Sequence, residues 1–281
     1  MDNYHNLLFP YAYNVLGSKA DAKDAIQDVM AKYAGQDTEV NNEKSYLIRA
    51  VINQSINLKN KQKRKTSLED AWLPEPVETS RADGNIILED ILSYSLLFLL
   101  EQLNPKERAV FILKEGFAYS HKEISEVLSC SVVNSRKLLS RARSKVQQAD
   151  QNPEELKQSG TYRDQIERYI KAIRNRDIET LQTLLSDDVT LYADGGDEIN
   201  VVERICRGCP EVSDLLIFAY HKFQHSQSIT FAEINHQPAL LFCEGKEVKA
   251  CQVYHFDEEG QTIRRICNVL DPDKLVDIEI K

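Results

Sequence analysis

Four cations within eight residues carry the plainest chemistry in this sequence: Arg136, Lys137, Arg141 and Arg143. Cations at this density neutralise phosphates and release the counterions condensed on nucleic acid, while guanidinium and hydroxyl groups can reach base edges. They sit in the stretch Ser120 to Val146, SHKEISEVLSCSVVNSRKLLSRARSKV. Ile124, Val127 and Leu128 have the spacing of one buried helical stripe. Ser129 and Cys130 interrupt it. Ser131 is placed to cap a second helix, whose Val132, Leu138, Leu139, Ala142 and Val146 turn toward a core. Lys145 adds a further cation, and no acid interrupts the series. Two helices, a short turn and a basic outer side make a DNA-reading helix-turn-helix.

Other reactive groups are more scattered. Asp194, His221, His225, His236 and His255 are the candidates for acid–base catalysis, but no pair has a spacing that specifies it. Cys206 and Cys209 form a lone CxxC. With Cys130, Cys243, Cys251 and Cys267 they make no zinc framework, so they read as buried or incidental thiols. Neither a metal nor a cofactor is expected.

The net charge of −9 argues against nucleic-acid binding until it is divided along the chain. Residues 1–150 hold 20 basic and 20 acidic side chains, and residues 151–281 hold 15 and 24. The basic residues of the first half concentrate at Arg136 to Lys145 and at Lys59 to Lys65. Screening confines fields to about 10 Å at ordinary salt, so local patches outweigh the total. No run reaches the roughly 18 apolar residues of a membrane span. MDNYHNLLFPYAY has no basic n-region before a long apolar core, so no signal peptide, no membrane partner and a cytoplasmic location are expected.

The elements that position these groups follow from periodicity. Residues 4–16 form an apolar helix around Leu7, Leu8, Tyr11, Val15 and Leu16. Asp21 to Tyr33 is a second, with Ala22, Ala25, Ile26, Val29 and Tyr33 inward and Asp24, Gln27, Asp28 and Ala31 outward. Glu43 to Lys65 is one long helix that buries Tyr46, Leu47, Ala50, Val51 and Ile56 and ends in an exposed basic tail. Asn53, Gln54, Asn57 and Asn60 on it suit hydrogen bonding to bases. Trp72-Leu73-Pro74-Glu75-Pro76 lies in an extended linker. Ile86 to Leu103 reads as a long helix, and Asn104-Pro105 starts the next. After a second linker the pattern becomes α+β. Tyr162 to Leu185 is a helix pair and Val189 to Tyr192 a short strand. Another helical stretch reaches about Tyr220. The strands Ile229–Ile234, Ala239–Glu244, Val248–Phe256 and Thr262–Leu270 follow, with Asn235 to Pro238 as one of their turns.

With these residues laid out, the chain resembles bacterial sigma factors of the extracytoplasmic-function group, in the subgroup with a SnoaL-like C-terminal domain. DAKDAIQDV resembles the region-two helix that holds core RNA polymerase, which implies that role for Asp24, Gln27 and Asp28. YLIRAVINQSINLKNKQKRK resembles the part that opens and reads the minus-ten element, implying Asn53, Asn57, Lys61 and Arg64. Ile52 stands where the family usually has arginine, and Asn57 where it has aspartate. The segment from Leu103 to Val146 is similar to region four, implying Arg136, Lys137, Ser140, Arg141 and Arg143 on the minus-35 element. WLPEP (with Trp72 and Pro74), the turn Asp194-Gly195-Gly196 and the tail Asp271-Pro272-Asp273-Lys274-Leu275 match the subgroup's marks. The tail usually begins with Asn, and Asp197 replaces a usual glycine.

The resemblance implies a multidomain chain: all-α region-two and region-four domains, then an α+β, cone-shaped SnoaL-like domain. The expected limits are 1–66 for region two, 67–85 for the linker, 86–148 for region four, 149–160 for a second linker and 161–281 for the regulatory domain. Core RNA polymerase and promoter DNA are the implied partners, with the C-terminal domain as an intramolecular regulator. A small-molecule ligand is left open. Two other readings stand beside this one. One is a helix-turn-helix regulator that needs no polymerase, and the other an isomerase-like C-terminal domain.

Overall fold

The computed structural model describes residues 2–35, 42–62, 72–79, 89–149, 162–202, 204–257 and 259–278. They fall into two compact units. One holds residues up to 62, then 89–92 and 96–149, and the other holds 72–79, 93–95 and 162–278.

The first unit is helical. α1 (Asp2–Leu16), α2 (Lys19–Ala34) and α3 (Glu43–Gln62) pack together. Ser18 caps α2 by accepting from the Asp21 amide at 3.1 Å. Leu8, Ala12, Leu16, Ala22, Ile26, Leu47 and Val51 are buried among these helices. Ile52 is buried as well, which gives the arginine-to-isoleucine departure a packing role. Tyr33, Tyr46 and Ala50, expected in the core, are half-buried.

α4 (Tyr94–Leu100), α5 (Pro105–Phe111, continued by a π-turn over Ile112–Gly116), α6 (His121–Val127) and α7 (Val132–Ala149) follow. Asn104 and Glu107 form a reciprocal capping box at α5, and Ser120 and Glu123 do the same at α6. The helix expected over Ile86 to Leu103 is interrupted. Residues 86–88 lie outside the described residues; Glu89 is helical, residues 90–93 are not, and helix resumes over Tyr94–Leu100. The cause is local: the Asn14 carboxamide donates to Asp90 O at 2.9 Å and accepts from Leu92 N at 3.1 Å, so side-chain bonds replace a helical turn.

The expected exposed tail of α3 needs correction at Lys59; Lys61 is exposed, and residues 63–65 lie outside the described residues. Lys59 is 5 % exposed and donates to Leu16 O at 2.7 Å. It pairs with Glu101, which also receives Arg108, a fully buried side chain whose Nε donates to Asn14 O at 2.9 Å. A long amphipathic side chain on an otherwise polar run found an internal acid that local sequence does not announce. Burial alone would raise the Glu101 carboxyl, but Arg108 and Lys59 together outweigh it and hold the group below its ordinary value.

The second unit has α8 (Arg163–Asn175), α9 (Ile178–Leu184), β1 (Leu185–Asp194), β2 (Ile205–Arg207), α10 (Cys209–Ala219, with a π-turn to Gln224), β3 (Ser228–Ile234), β4 (Gln237–Glu244), β5 (Glu247–Phe256), β6 (Ile263–Val269) and the single turn α11 (Pro272–Leu275). The sheet order is β2-β1-β6-β5-β4-β3, antiparallel except where β1 runs parallel to β6. Ile166, Tyr169, Ile173, Leu181 and Leu216 from the helices meet Leu191, Phe242, Tyr254 and Ile266 from the strands in one core. This is the α+β arrangement expected.

Two details differ from the sequence reading. The stretch read as helical up to Tyr220 contains β2, paired to β1 through Cys206 and Leu191 and ended by Gly208 at φ 91°. The turn before β4 is only Asn235-His236, both at positive φ, with Pro238 already inside the strand opposite Glu233. Two residues of that conformation suit the twist of a tight hairpin.

Candidate nucleic-acid interface and linker clamp

α6 and α7 are joined by a turn in which Ser129 takes φ 49°. Ser131 accepts from the Asn134 amide at 3.1 Å, the cap expected for the second helix. His121 Nδ1 and Ser135 Oγ, 2.9 Å apart, tie the two helices. Leu139, Ala142 and Val146 are buried, and Val132 and Leu138 are half-buried. Arg136, Lys137, Ser140, Arg141 and Arg143 are all exposed on α7. The cations are not all unopposed: Arg143 pairs with Glu115 at 2.6 Å, and Lys145 with Glu107 at 2.7 Å. The acids come from α5 and its π-turn, so a scan of α7 alone misses them.

Asp24, Gln27 and Asp28 are exposed together on α2. Asp28 accepts from Gln54 on α3 at 2.8 Å. On α3, Asn57 and Lys61 are exposed, and Arg64 lies outside the described residues. Asn53 is engaged. Its Nδ2 donates to Arg49 O at 2.8 Å and to Val127 O, at the end of α6, at 2.9 Å. Arg49 donates to Ser129 Oγ at 2.9 Å. The helix that carries Asn53 is thus hydrogen-bonded to the helix-turn-helix at the end of α6 and its turn.

The second constellation belongs to the α+β unit. β1 ends at Asp194, opposite Val269 of β6. Asp194 Oδ2 accepts from Leu73 N at 2.8 Å and from Lys274 Nζ at 2.6 Å, and Oδ1 accepts from Gly196 N at 3.0 Å. Its backbone carbonyl accepts from Leu270 N at 2.7 Å and Asp271 N at 3.0 Å. Lys274 also donates to Leu73 O at 2.8 Å and lies 4.4 Å from the centre of the Trp72 ring. The ion pair is over nine-tenths buried on both sides. One carboxylate and one ammonium therefore hold both backbone polar groups of Leu73, and the indole covers the cation.

The glycines make this approach feasible. A Cβ on Gly195 would stand 2.1 Å from Ile199 O, and one on Gly196, at φ 60°, would stand 2.5 Å from the Asp271 carboxyl carbon. Asp271 caps α11 through the Asp273 amide at 3.1 Å, and burial raises its carboxyl above the usual range. Beyond Leu73 the segment continues as an extension of the sheet. Pro74 O accepts from Tyr94 OH at 2.7 Å, Val77 and Asn235 exchange hydrogen bonds, and Glu78 bridges Ile234 at the β3 edge. Tyr94 N and Ser95 N donate to Asn235 O and Gln237 Oε1. Trp72, Pro74, Asp194, Gly195, Gly196 and residues Asp271 to Leu275 are one site. Sequence reasoning missed Asn235 and Gln237, since a hairpin turn carries no mark of what its side chains will hold.

The candidates for catalysis do not converge. Asp194 is committed to the linker, His255 is buried beside Gln237, and His221 Nε2 lies 3.1 Å from Ile173 O. Among the described residues no cysteine forms a disulfide. Burial raises the Cys209 thiol, which disfavours the reactive thiolate. Among the described residues no helix is long and apolar enough to cross a membrane, and no acidic, histidine or cysteine cluster could hold a metal.

The family description "Sigma-70 region 2" matches residues 1–65, and "Sigma-70, region 4" matches residues 93–146. The ECF RNA polymerase sigma factor SigJ of Mycobacterium tuberculosis is 28% identical over 216 residues, covering 73% of this chain and 67% of the relative. A probable ECF RNA polymerase sigma factor SigI from that species is 24% identical over 241 residues, covering 83% and 80%. The crystal structure of SigJ superposes with a TM-score of 0.75 at 22% identity and covers 98% of both chains. That likeness extends the shared fold through the α+β unit.

Proposed function

The chain belongs to the extracytoplasmic-function sigma factors, and from that premise we propose that its SnoaL-like domain restrains initiation by holding the linker at Asp194. As a sigma factor it directs core RNA polymerase to promoters, and it is not an enzyme. The finer assignments are proposals. Asp24, Gln27 and Asp28 contact the core enzyme. Asn53, Asn57, Lys61 and Arg64 serve the minus-ten element. Arg136, Lys137, Ser140, Arg141 and Arg143 serve the minus-35 element.

The observation that carries the regulatory reading is the Leu73–Asp194–Lys274 clamp. Leu73 belongs to the segment that joins the two DNA-reading parts, so a domain that grips it controls how far those parts separate. Separation is required. Elements about 25 base pairs apart lie roughly 85 Å apart at 3.4 Å per base pair. Asn53 and Val127 O are 2.9 Å apart here. The closed arrangement cannot read both elements at once and must open. A tethered domain acts at high effective concentration, so it needs no separate inhibitor.

The test is run-off transcription with core polymerase from the same host, comparing the full chain with one ending after residue 160. Higher initiation by the shorter chain is expected. Equal or lower initiation by a folded shorter chain would overturn the restraining role. Duplex binding without initiation by either chain would favour a regulator that needs no polymerase.

A further inference from the structure

The side chains assigned to the minus-35 element are all polar, yet the face of α7 that carries them begins with a valine. Val133 is 60 % exposed. Arg136, Lys137, Ser140, Arg141 and Ser144 follow it at intervals of three and four residues and are exposed with it, while Ser135, Leu139, Ala142 and Val146 are buried. Residues at that spacing share one side of a helix. Val133 is therefore the N-terminal member of the stripe that carries the cations.

The fold makes little use of a valine at that place. In water its side chain adds nothing to the core, and a β-branched residue is a weaker helix former than alanine. Its position is nevertheless well set. Ser131 Oγ accepts from Asn134 N at 3.1 Å, and His121 Nδ1 lies 2.9 Å from Ser135 Oγ, so the first turn of α7 is held on both sides of Val133. The second helix of a helix-turn-helix meets base edges through its N-terminal residues. From Val133 to Arg141 the helix rises about 12 Å, which matches the width of the major groove. Arg136 and Lys137, one turn on, form no ion pair among the described residues, whereas Arg143 and Lys145 are paired. Cations suited to phosphate thus stand beside an uncovered apolar group. Of the groups that bases present in the major groove, the apolar one is the C5-methyl of thymine.

We propose that Val133 packs on the C5-methyl group of one thymine in the minus-35 element and makes that position specific for thymine. The contact removes water from two apolar surfaces and uses no hydrogen bond, so it discriminates by the methyl group. Cytosine at the same position would turn its amino donor toward a side chain that cannot accept from it. The burial of one methyl group corresponds to about fourfold in affinity. Val133 therefore sets which base is preferred at one position, while the cations along the stripe bind phosphate whatever the sequence.

The assignment rests on α7 being the helix that meets the minus-35 element, and the test separates the two. Holoenzyme made from the full chain and core polymerase of the same host would transcribe a host promoter randomised across the minus-35 element. The preferred template would then carry deoxyuridine in place of each thymine in turn, on either strand, which removes only the methyl group. The unaltered protein should prefer thymine at one position, and uracil there should lower initiation about fourfold. Val133→Ala, an exposed substitution that favours the helix, should initiate equally from thymine and uracil at that position and keep its other base preferences. Indifference of the unaltered protein to uracil at every thymine, an unchanged uracil penalty in Val133→Ala, or a uniform loss in Val133→Ala with the same base preferences would each overturn the proposal. Arg141→Ala locates the failure. Its loss of initiation without any methyl effect would confine the error to Val133, and its unchanged initiation would show that α7 does not meet this element.

Discussion

Asp194 and Lys274, eighty residues apart in the chain, meet at 2.6 Å, and both also bind the backbone of Leu73. Removing one member leaves the other charge buried without its partner, which costs about 3–5 kcal/mol. Asp194→Ala and Lys274→Met should each destabilise the α+β unit by that order. The double variant should cost less than the sum, because neither charge is then left alone. Urea denaturation of the two single variants and the double variant measures this. Additive losses would mean that the pair is not coupled.

The turn that carries Asp194 sets a second, graded expectation. Gly195→Ala places a Cβ against the backbone carbonyl of Ile199, which cannot move without the turn. Gly196→Ala meets the Asp271 side chain, which can rotate away, and adds the strain of φ 60°. Both variants should lose stability, with Gly195→Ala the worse. A thermal melt ranking them the other way would contradict the packing described for this turn.

The first unit should show its own acid sensitivity. Arg108 and Lys59 hold the Glu101 carboxyl below its ordinary value of about 4.3. A depressed folded-state value means the unfolded chain binds more protons near that pH. The stability from this group is therefore full above about pH 4.3 and is lost as pH falls through the lower, folded-state value. Glu101→Gln should be less stable at neutral pH and should show a shallower fall in stability below pH 4. The slopes of denaturation free energy against pH for the two proteins decide the matter.

Arg49 and Ser129 offer a probe of the closed arrangement that avoids the residues proposed to contact DNA. The Arg49 side chain donates to Ser129 Oγ at an exposed position. Such a bond contributes about 1 kcal/mol, a factor of about five in the opening equilibrium. Arg49→Ala should raise initiation up to about fivefold without changing promoter preference. A fall in initiation with unchanged folding would show that Arg49 serves the open complex instead.

Much of this was legible in the residues. The helix-turn-helix, its Ser131 cap and the outward face of Asp24, Gln27 and Asp28 follow from periodicity and capping chemistry, which are local. The three marks WLPEP, Asp194-Gly195-Gly196 and Asp271 to Leu275 were also visible, but each is short and unexceptional alone. Their meeting depends on the parallel pairing of β1 with β6, a contact between distant strands. Lys59 was misread because its partners, Glu101 and the Leu16 carbonyl, are over forty residues away. The break in the helix expected from Ile86 is not legible locally, because its apolar run is strong and the Asn14 bonds that interrupt it come from another helix.

The most direct measurement is run-off transcription by full-length Asp194→Ala beside the unaltered full-length chain, with core polymerase held in excess. Release of Leu73 should raise initiation toward that of the chain ending after residue 160. Initiation that stays at the unaltered level, or falls, in a variant whose α+β unit remains folded would contradict the claim that this clamp restrains the sigma factor.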